Sequence, residues 1–129
     1  MEKLIVVALG GAAGCVCRYL LAMGLSGWFG GAFPWGTLAV NLLGSGLLAA
    51  ILQIVASTNL IDPLWRLALT TGFMGGFTTY STFNFETMTY LQAGDYLRAF
   101  AYAAVTGVGC LLSGFAGMAL AKALVQNGL

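Results

Sequence analysis

Apolar residues along this chain fall into four long runs, at about residues 4–25, 37–56, 64–91 and 97–125. A helix needs about 20 mostly apolar residues to cross the hydrocarbon core of a bilayer. Each run therefore predicts one membrane span, and the connections between the runs are short. We expect an all-α protein whose four transmembrane helices form a single domain over residues 1–129.

The third run contains an unusual segment, Gly72-Phe-Met-Gly-Gly-Phe-Thr-Thr-Tyr-Ser-Thr-Phe83. Glycine in a helix interior is less favourable than alanine by roughly 1 kcal/mol, so the adjacent Gly75 and Gly76 indicate a break in the helix. Backbone that leaves helical geometry at membrane depth is tolerated only where it is buried in protein or lines a water-filled cavity. We interpret the segment as a functional interruption of the third span.

Two connections end in residues that commonly begin helices. Asp62 comes directly before Pro63, and Asp95 comes directly after Gly94. Aspartate is a favoured N-cap residue, and proline is favoured at the first helical position. We expect Asp62 to cap the third span and Asp95 to cap the fourth.

The composition places the chain in a membrane, because 60% of its residues are hydrophobic and only 7% are charged, whereas a soluble domain carries about 25% charged residues. There is no histidine, and histidine is both the commonest metal ligand and the usual proton switch. The glycine cluster lacks the lysine of a phosphate-binding loop, and no Ser-His pair is present. We expect a protein that is not an enzyme.

The few basic residues give little bias in orientation. With four spans, one side of the membrane would carry Lys3, Arg66 and Lys122, while the other would carry Arg98, with Arg18 as its second candidate. Basic residues near the span ends set orientation. This nearly even distribution suggests a chain that inserts in both directions and forms an antiparallel dimer.

Polar residues recur at helical spacing in the second run, where Thr37, Asn41 and Ser45 lie four residues apart and share one face. The amide of Asn41 can donate a hydrogen bond to an anion. It can equally form an interhelical hydrogen bond that only fixes the packing.

The third run adds a carboxylate, because Glu86 lies well inside the span. An intramembrane carboxylate suggests a functional site, although a structural acceptor of hydrogen bonds from hydroxyl groups beside an aqueous vestibule is an equal alternative. Tyr80 and Phe83 also share a face, a spacing that is usually typical of a core. The residues on the face of the glutamate are Thr79, Thr82, Phe83 and Glu86.

The fourth run places Tyr102, Thr106 and Cys110 at four-residue steps. In the first run, Arg18 either extends to the interface or attracts anions. Together with the other stripes, these residues indicate a narrow path lined by hydroxyl and amide groups and by aromatic edges, which are the positive part of a ring. Such a lining favours a small anion, although hydroxyl oxygens also suit a cation.

Three motifs make the chain similar to a known family, the small bacterial fluoride channels called CrcB/Fluc. The motifs are Gly10-Gly-x-x-Gly14-x-x-x-Arg18-Tyr19, Pro34-x-Gly-Thr-x-x-Val-Asn-Leu42, and Gly72-x-x-Gly-Gly-x-Thr-Thr-Tyr-Ser-Thr-Phe83 with Glu86. They cover three of the four spans in order.

The resemblance implies a fluoride-selective channel of the bacterial cytoplasmic (inner) membrane that exports fluoride by passive electrodiffusion and so lowers cytoplasmic fluoride. It also implies a dual-topology, antiparallel homodimer. A structural Na⁺ ion at the centre of that dimer would be bound by the backbone carbonyls of Gly75 and Thr78. Arg18 would lie at a vestibule, and the anion pathway would comprise Asn41, Tyr80, Ser81, Thr82, Phe83, Glu86, Tyr102 and Thr106.

Two residues depart from the family pattern: Tyr80 stands where phenylalanine is usual, and Cys110 stands where a hydroxyl-bearing residue is frequent. The alternative function is a small dual-topology, proton-coupled exporter of drugs or cations, with Glu86 as the proton site. A third is a membrane subunit that transports nothing.

Overall fold

The structure, a computed structural model, describes residues 1–128, and its regular elements there are all helices. Three of them are long and apolar enough to cross a membrane, and the third span in chain order is made of shorter pieces between residues 63 and 92. The predicted all-α fold with four spans and a broken third span is therefore confirmed. In chain order the elements are α1 (Glu2–Phe29), α2 (Trp35–Ser57), α3 (Pro63–Leu67), a π-helical segment (Ala68–Met74), α4 (Gly75–Phe77), α5 (Tyr80–Gln92) and α6 (Tyr96–Gln126).

The third span is interrupted at Thr78 and Thr79, which we call the break. Both residues are extended, with ψ of 157° at Thr78 and φ of −149° at Thr79. Gly75 instead has helical angles, φ −63° and ψ −36°. The break that we predicted is present, but its predicted position at Gly75 and Gly76 is wrong, because a nearby side chain of α2 and a threonine cap stabilise the extended residues.

Two glycines of this span, Gly72 and Gly76, serve close helix packing. A Cβ atom added at Gly76 would overlap the carbonyl oxygen of Gly11 in α1, and one added at Gly72 would lie 3.1 Å from the carbonyl oxygen of Val7. Small residues allow helices to approach closely in lipid, where packing drives association. Glycine here lets α1 lie directly against the broken span.

A similar contact joins α2 to α6, the pair of helices with the most extensive packing. A Cβ atom at Gly117 would overlap the carbonyl oxygen of Gly46. Close to it, the hydroxyl of Ser113 donates to the carbonyl oxygen of Leu42 across 2.6 Å. The two helices therefore form a closely packed pair, whereas the broken span packs mainly against α1.

Both predicted caps are present. The side chain of Asp62 accepts a hydrogen bond from the backbone N–H of Leu64 at 2.8 Å, and that of Asp95 accepts one from the N–H of Arg98 at 3.1 Å. Gly94, with φ of 75°, makes the turn before α6.

Candidate functional site

At the break, the side chain of Asn41 in α2 forms hydrogen bonds with backbone groups that a continuous helix would bond internally. The Nδ2 atom of Asn41 donates to the carbonyl oxygen of Thr79 at 3.0 Å, and the N–H of Thr79 donates to Oδ1 of Asn41 at 2.8 Å. In a continuous α-helix that N–H would donate to the carbonyl of Gly75. The packing alternative for Asn41 is thus observed. An amide has two donor hydrogens, so one remains for another partner.

Thr79 also begins α5, because its Oγ1 accepts a hydrogen bond from the N–H of Thr82 at 3.2 Å and lies 2.9 Å from the Thr82 hydroxyl. A continuous helix would direct the N–H of Thr82 to the carbonyl of Thr78. The carbonyls of Gly75 and Thr78, which the sequence proposed as cation ligands, are thus the two that lose these helical donors.

The carboxylate of Glu86 accepts two hydrogen bonds from neighbouring helices. Its Oε1 accepts from the hydroxyl of Thr37 in α2 at 2.8 Å, and its Oε2 accepts from the hydroxyl of Tyr102 in α6 at 2.7 Å. Tyr102 is fully buried. The hydroxyl donors expected for a structural glutamate are therefore present, and they link α2, α5 and α6.

Aromatic rings cluster near the break and Glu86. The ring centroid of Phe83 lies 5.7 Å from that of Tyr80 and 5.2 Å from that of Tyr102, at interplanar angles of 54° and 60°. Phe33 meets Tyr102 edge to face at 5.3 Å. In such inclined pairs the edge of one ring, the positive part of the aromatic quadrupole, is turned towards its neighbour.

A groove of about 420 Å³ opens beside the break, and we call it the break groove. It brings together residues from α2, α5 and α6 that the sequence assigned to the anion pathway, and Cys110 lies at its edge. Tyr80 is 77% exposed there. The groove is lined by Asn41, Gly44, Ser45, Leu48, Thr78, Tyr80, Phe83, Ala103, Thr106, Gly107 and Cys110.

Smaller grooves continue the polar surface on the other side of Asn41. One of about 280 Å³ is lined in part by Thr37, Thr82 and Glu86, and an adjoining one of about 240 Å³ includes Arg18 and Thr79. The Nε atom of Arg18 is buried and has no hydrogen-bond partner within residues 1–128. The predicted vestibule arginine thus lies beside the hydroxyl groups of the break.

Ser81 and Tyr102 are the predicted pathway residues that line none of these grooves, and Tyr102 is fully buried. Ser81 is exposed, with its hydroxyl oxygen 3.4 Å from that of Thr79. Conversely, Phe33 and Thr37 contact the site but were not assigned to it. Thr37 was detectable from its spacing to Asn41, whereas Phe33 lies in a connection that has no periodicity.

These helices define a multi-pass membrane protein with polar side chains between its spans. Over residues 5–118 the chain matches the family described as CrcB-like protein, Camphor Resistance (CrcB). The chain belongs to this family.

Similar proteins from several bacteria bear one name, fluoride-specific ion channel FluC. The protein of Sorangium cellulosum (strain So ce56) is 50% identical over 131 residues, which cover 98% of this chain and 100% of that protein. The protein of Geobacter sp. (strain M21) is 45% identical over 124 residues, 96% of this chain and 100% of that protein. The protein of Leptospira interrogans serovar copenhageni is 41% identical over 121 residues, 94% of this chain and 95% of that protein.

Proposed function

We propose that this protein is a fluoride-selective ion channel of the bacterial cytoplasmic membrane. The observation that carries the proposal is the break groove, whose lining brings together Asn41, Thr106 and Phe83. Among the residues that line this groove, none is charged. The family and the printed name of the relatives support the same function.

The lining suits a small anion that is strongly hydrated. Amide and hydroxyl donors replace water around the ion, and ring edges add a weak positive potential. Conduction requires a site that binds well enough to admit an ion and weakly enough to release it. A groove without a fixed positive charge meets the second requirement, because a lysine or arginine side chain would hold the anion.

Transport through such a path is passive. Fluoride that enters a cell as neutral HF dissociates inside, and the membrane potential then drives the anion outward with about 2.3 kcal/mol per 100 mV. Neither a nucleotide nor a coupled proton is needed, and the protein performs conduction rather than catalysis.

The working unit that we propose is an antiparallel homodimer with dual topology. The even distribution of basic residues supports this arrangement, and so does the position of Tyr80, whose ring is largely uncovered at the break. A second copy would cover that ring and bring two breaks together at mid-membrane.

We also propose a structural Na⁺ ion at the break. Carbonyls freed from a broken helix are suitable ligands for Na⁺, and those of Gly75 and Thr78 lose their helical donors to the bonds of Asn41 and Thr79. Such an ion would supply a positive charge that holds two breaks together. The residues of this chain supply the oxygens and fix their direction.

Glu86 separates the channel from the alternative, a proton-coupled exporter. A proton carrier must release and rebind a proton in each cycle, whereas Glu86 is held by the hydroxyls of Thr37 and Tyr102. These bonds support a structural role, in which Glu86 joins three helices around the path.

Fluoride efflux from liposomes, followed with a fluoride electrode, tests the proposal. We expect fast, electrogenic efflux that does not depend on a pH gradient, with no comparable efflux of chloride. Glu86→Gln, which keeps an oxygen acceptor, should retain fluoride efflux in a channel, whereas a proton-coupled exporter would lose its transport with the carboxylate. If the purified protein passed no ion, the third alternative, a non-transporting subunit, would be correct.

A further inference from the structure

A second, charged groove lies at the opposite end of the chain's polar surface, between the start of α1 and the start of α3. Its volume is about 660 Å³, and we call it the interfacial groove. It holds four of the nine charged side chains in the protein, counted as five basic and four acidic residues. Its lining is Glu2, Lys3, Asp62, Pro63, Leu64, Arg66, Leu67, Thr70 and Thr71.

These four charges are gathered in one groove without forming ion pairs. Within residues 1–128, the ion pair closer than 4.0 Å joins Asp95 to Arg98 at 3.3 Å. Neither of these two residues lines the interfacial groove. Asp62 uses Oδ1 to cap α3, which leaves Oδ2. Two cationic and two anionic groups are therefore available to a ligand that carries both signs of charge.

The residues around the groove are typical of the membrane–water interface. Trp65, next to Arg66, is 68% exposed, and tryptophan is enriched at the membrane–water interface. The half-buried side chains of Leu64 and Leu67 line the same groove. The interfacial groove thus combines charged groups with an apolar wall, as the boundary between headgroup and acyl chain does.

We propose that the interfacial groove binds the headgroup of a zwitterionic phospholipid of the phosphatidylethanolamine class. Lys3 and Arg66 bind the phosphate, and Glu2 and Asp62 bind the ammonium. Hydrogen bonds between ionised groups are roughly twice as strong as neutral ones. An anionic headgroup would leave both carboxylates unpaired, and a choline headgroup offers no N–H donor to them.

The groove shares no lining residue with the break groove. The proposal is therefore independent of fluoride conduction, and its variants should leave the ion path intact. A bound lipid stabilises the folded protein because it binds the native state and not the unfolded one.

Thermal unfolding in detergent, with added phosphatidylethanolamine, phosphatidylcholine or phosphatidylglycerol, tests the site. We expect the ethanolamine lipid to raise the Tm most. The paired variants Lys3→Gln/Arg66→Gln and Glu2→Gln/Asp62→Asn should each abolish that difference, and asparagine preserves the N-cap of α3. Arg98→Gln, at another connection, is the control and should keep the full rise.

Several outcomes would overturn the proposal. Equal stabilisation by the three lipids would show ordinary solvation, and the same rise with inorganic phosphate would show a free-anion site. A rise greatest with phosphatidylglycerol, and lost only in the Lys3/Arg66 variant, would assign an anionic lipid. Loss of the dimer in either paired variant, without lipid present, would show that a second copy covers the groove.

Discussion

At the scale of single residues, Asn41 joins the backbone of the break to the proposed path. Its amide forms two hydrogen bonds with Thr79 and also lines the break groove. The four-residue spacing placed Asn41 and Thr37 on one face of α2, which the structure confirms. Their partners were not predictable, because Thr79 and Glu86 are 38 and 49 residues away along the chain.

Asn41→Asp should suppress fluoride efflux. The variant adds a negative charge to the groove and sets a carboxylate oxygen against the carbonyl of Thr79, which repels it. Fluoride-electrode efflux at equal protein content in the liposomes measures the effect.

Asn41→Ala is the matched comparison, because it removes both bonds without adding charge. Leaving a buried polar group without a partner costs about 1–3 kcal/mol, so alanine should lower the unfolding temperature and aspartate should in addition block anions. Equal efflux from the aspartate variant and the unmodified protein would remove Asn41 from the pathway.

Phe83→Ile should slow efflux about tenfold, the equivalent of about 1.4 kcal/mol in a barrier, because isoleucine keeps bulk but lacks a positive ring edge. Phe115→Ile is the control, since Phe115 is 68% exposed on α6 and lines none of the grooves described above. Size-exclusion chromatography checks assembly. Efflux at the unmodified rate would reduce Phe83 to a packing residue.

At the scale of elements, the broken span shows that adjacent glycines in a membrane helix can have two different physical causes. Gly75 and Gly76 suggested a break because glycine weakens a helix, yet both belong to α4, and the break follows it. Hydropathy cannot distinguish a glycine that loosens the backbone from one that admits a neighbouring helix. That distinction depends on α1, which packs against this span.

The two adjacent glycines, Gly75 and Gly76, allow the effect of an added side chain on stability to be compared within one protein. A Cβ atom at Gly76 would overlap Gly11, whereas one at Gly75 meets nothing within 4 Å in the protomer. Overpacking costs typically 1–3 kcal/mol, so Gly76→Ala should lower the unfolding temperature clearly and Gly75→Ala should change it little. Thermal unfolding of the two proteins in one detergent decides this, and similar shifts would contradict the contact with α1.

At the scale of the whole molecule, the predicted four-span, all-α fold holds because hydropathy and length depend only on local sequence. The second copy and the Na⁺ ion stay predictions, since they concern surfaces that one protomer leaves open. The break nevertheless makes both predictions specific. The two carbonyls proposed as Na⁺ ligands lie near Gly75, where an added Cβ atom would meet nothing within 4 Å in the protomer.

Gly75→Val therefore tests whether a second copy and a Na⁺ ion lie against Gly75. If a partner and a Na⁺ ion occupy that space, valine should weaken the dimer and its dependence on Na⁺, while Gly75→Ala affects both less. Efflux after exchange of Na⁺ for N-methylglucamine, with the dimer measured by light scattering, provides the readout. Efflux that persists unchanged without Na⁺ would exclude the structural ion.

The bond between Asn41 and Thr79 also has a consequence for biogenesis. The residue that satisfies the break precedes it by 38 positions, so α2 leaves the ribosome before the interrupted segment does. Non-helical backbone in lipid needs a protein partner, and here that partner is already in place when the segment arrives. Moving α2 behind the broken span by circular permutation should leave the segment without its partner during insertion and expose it to membrane proteolysis.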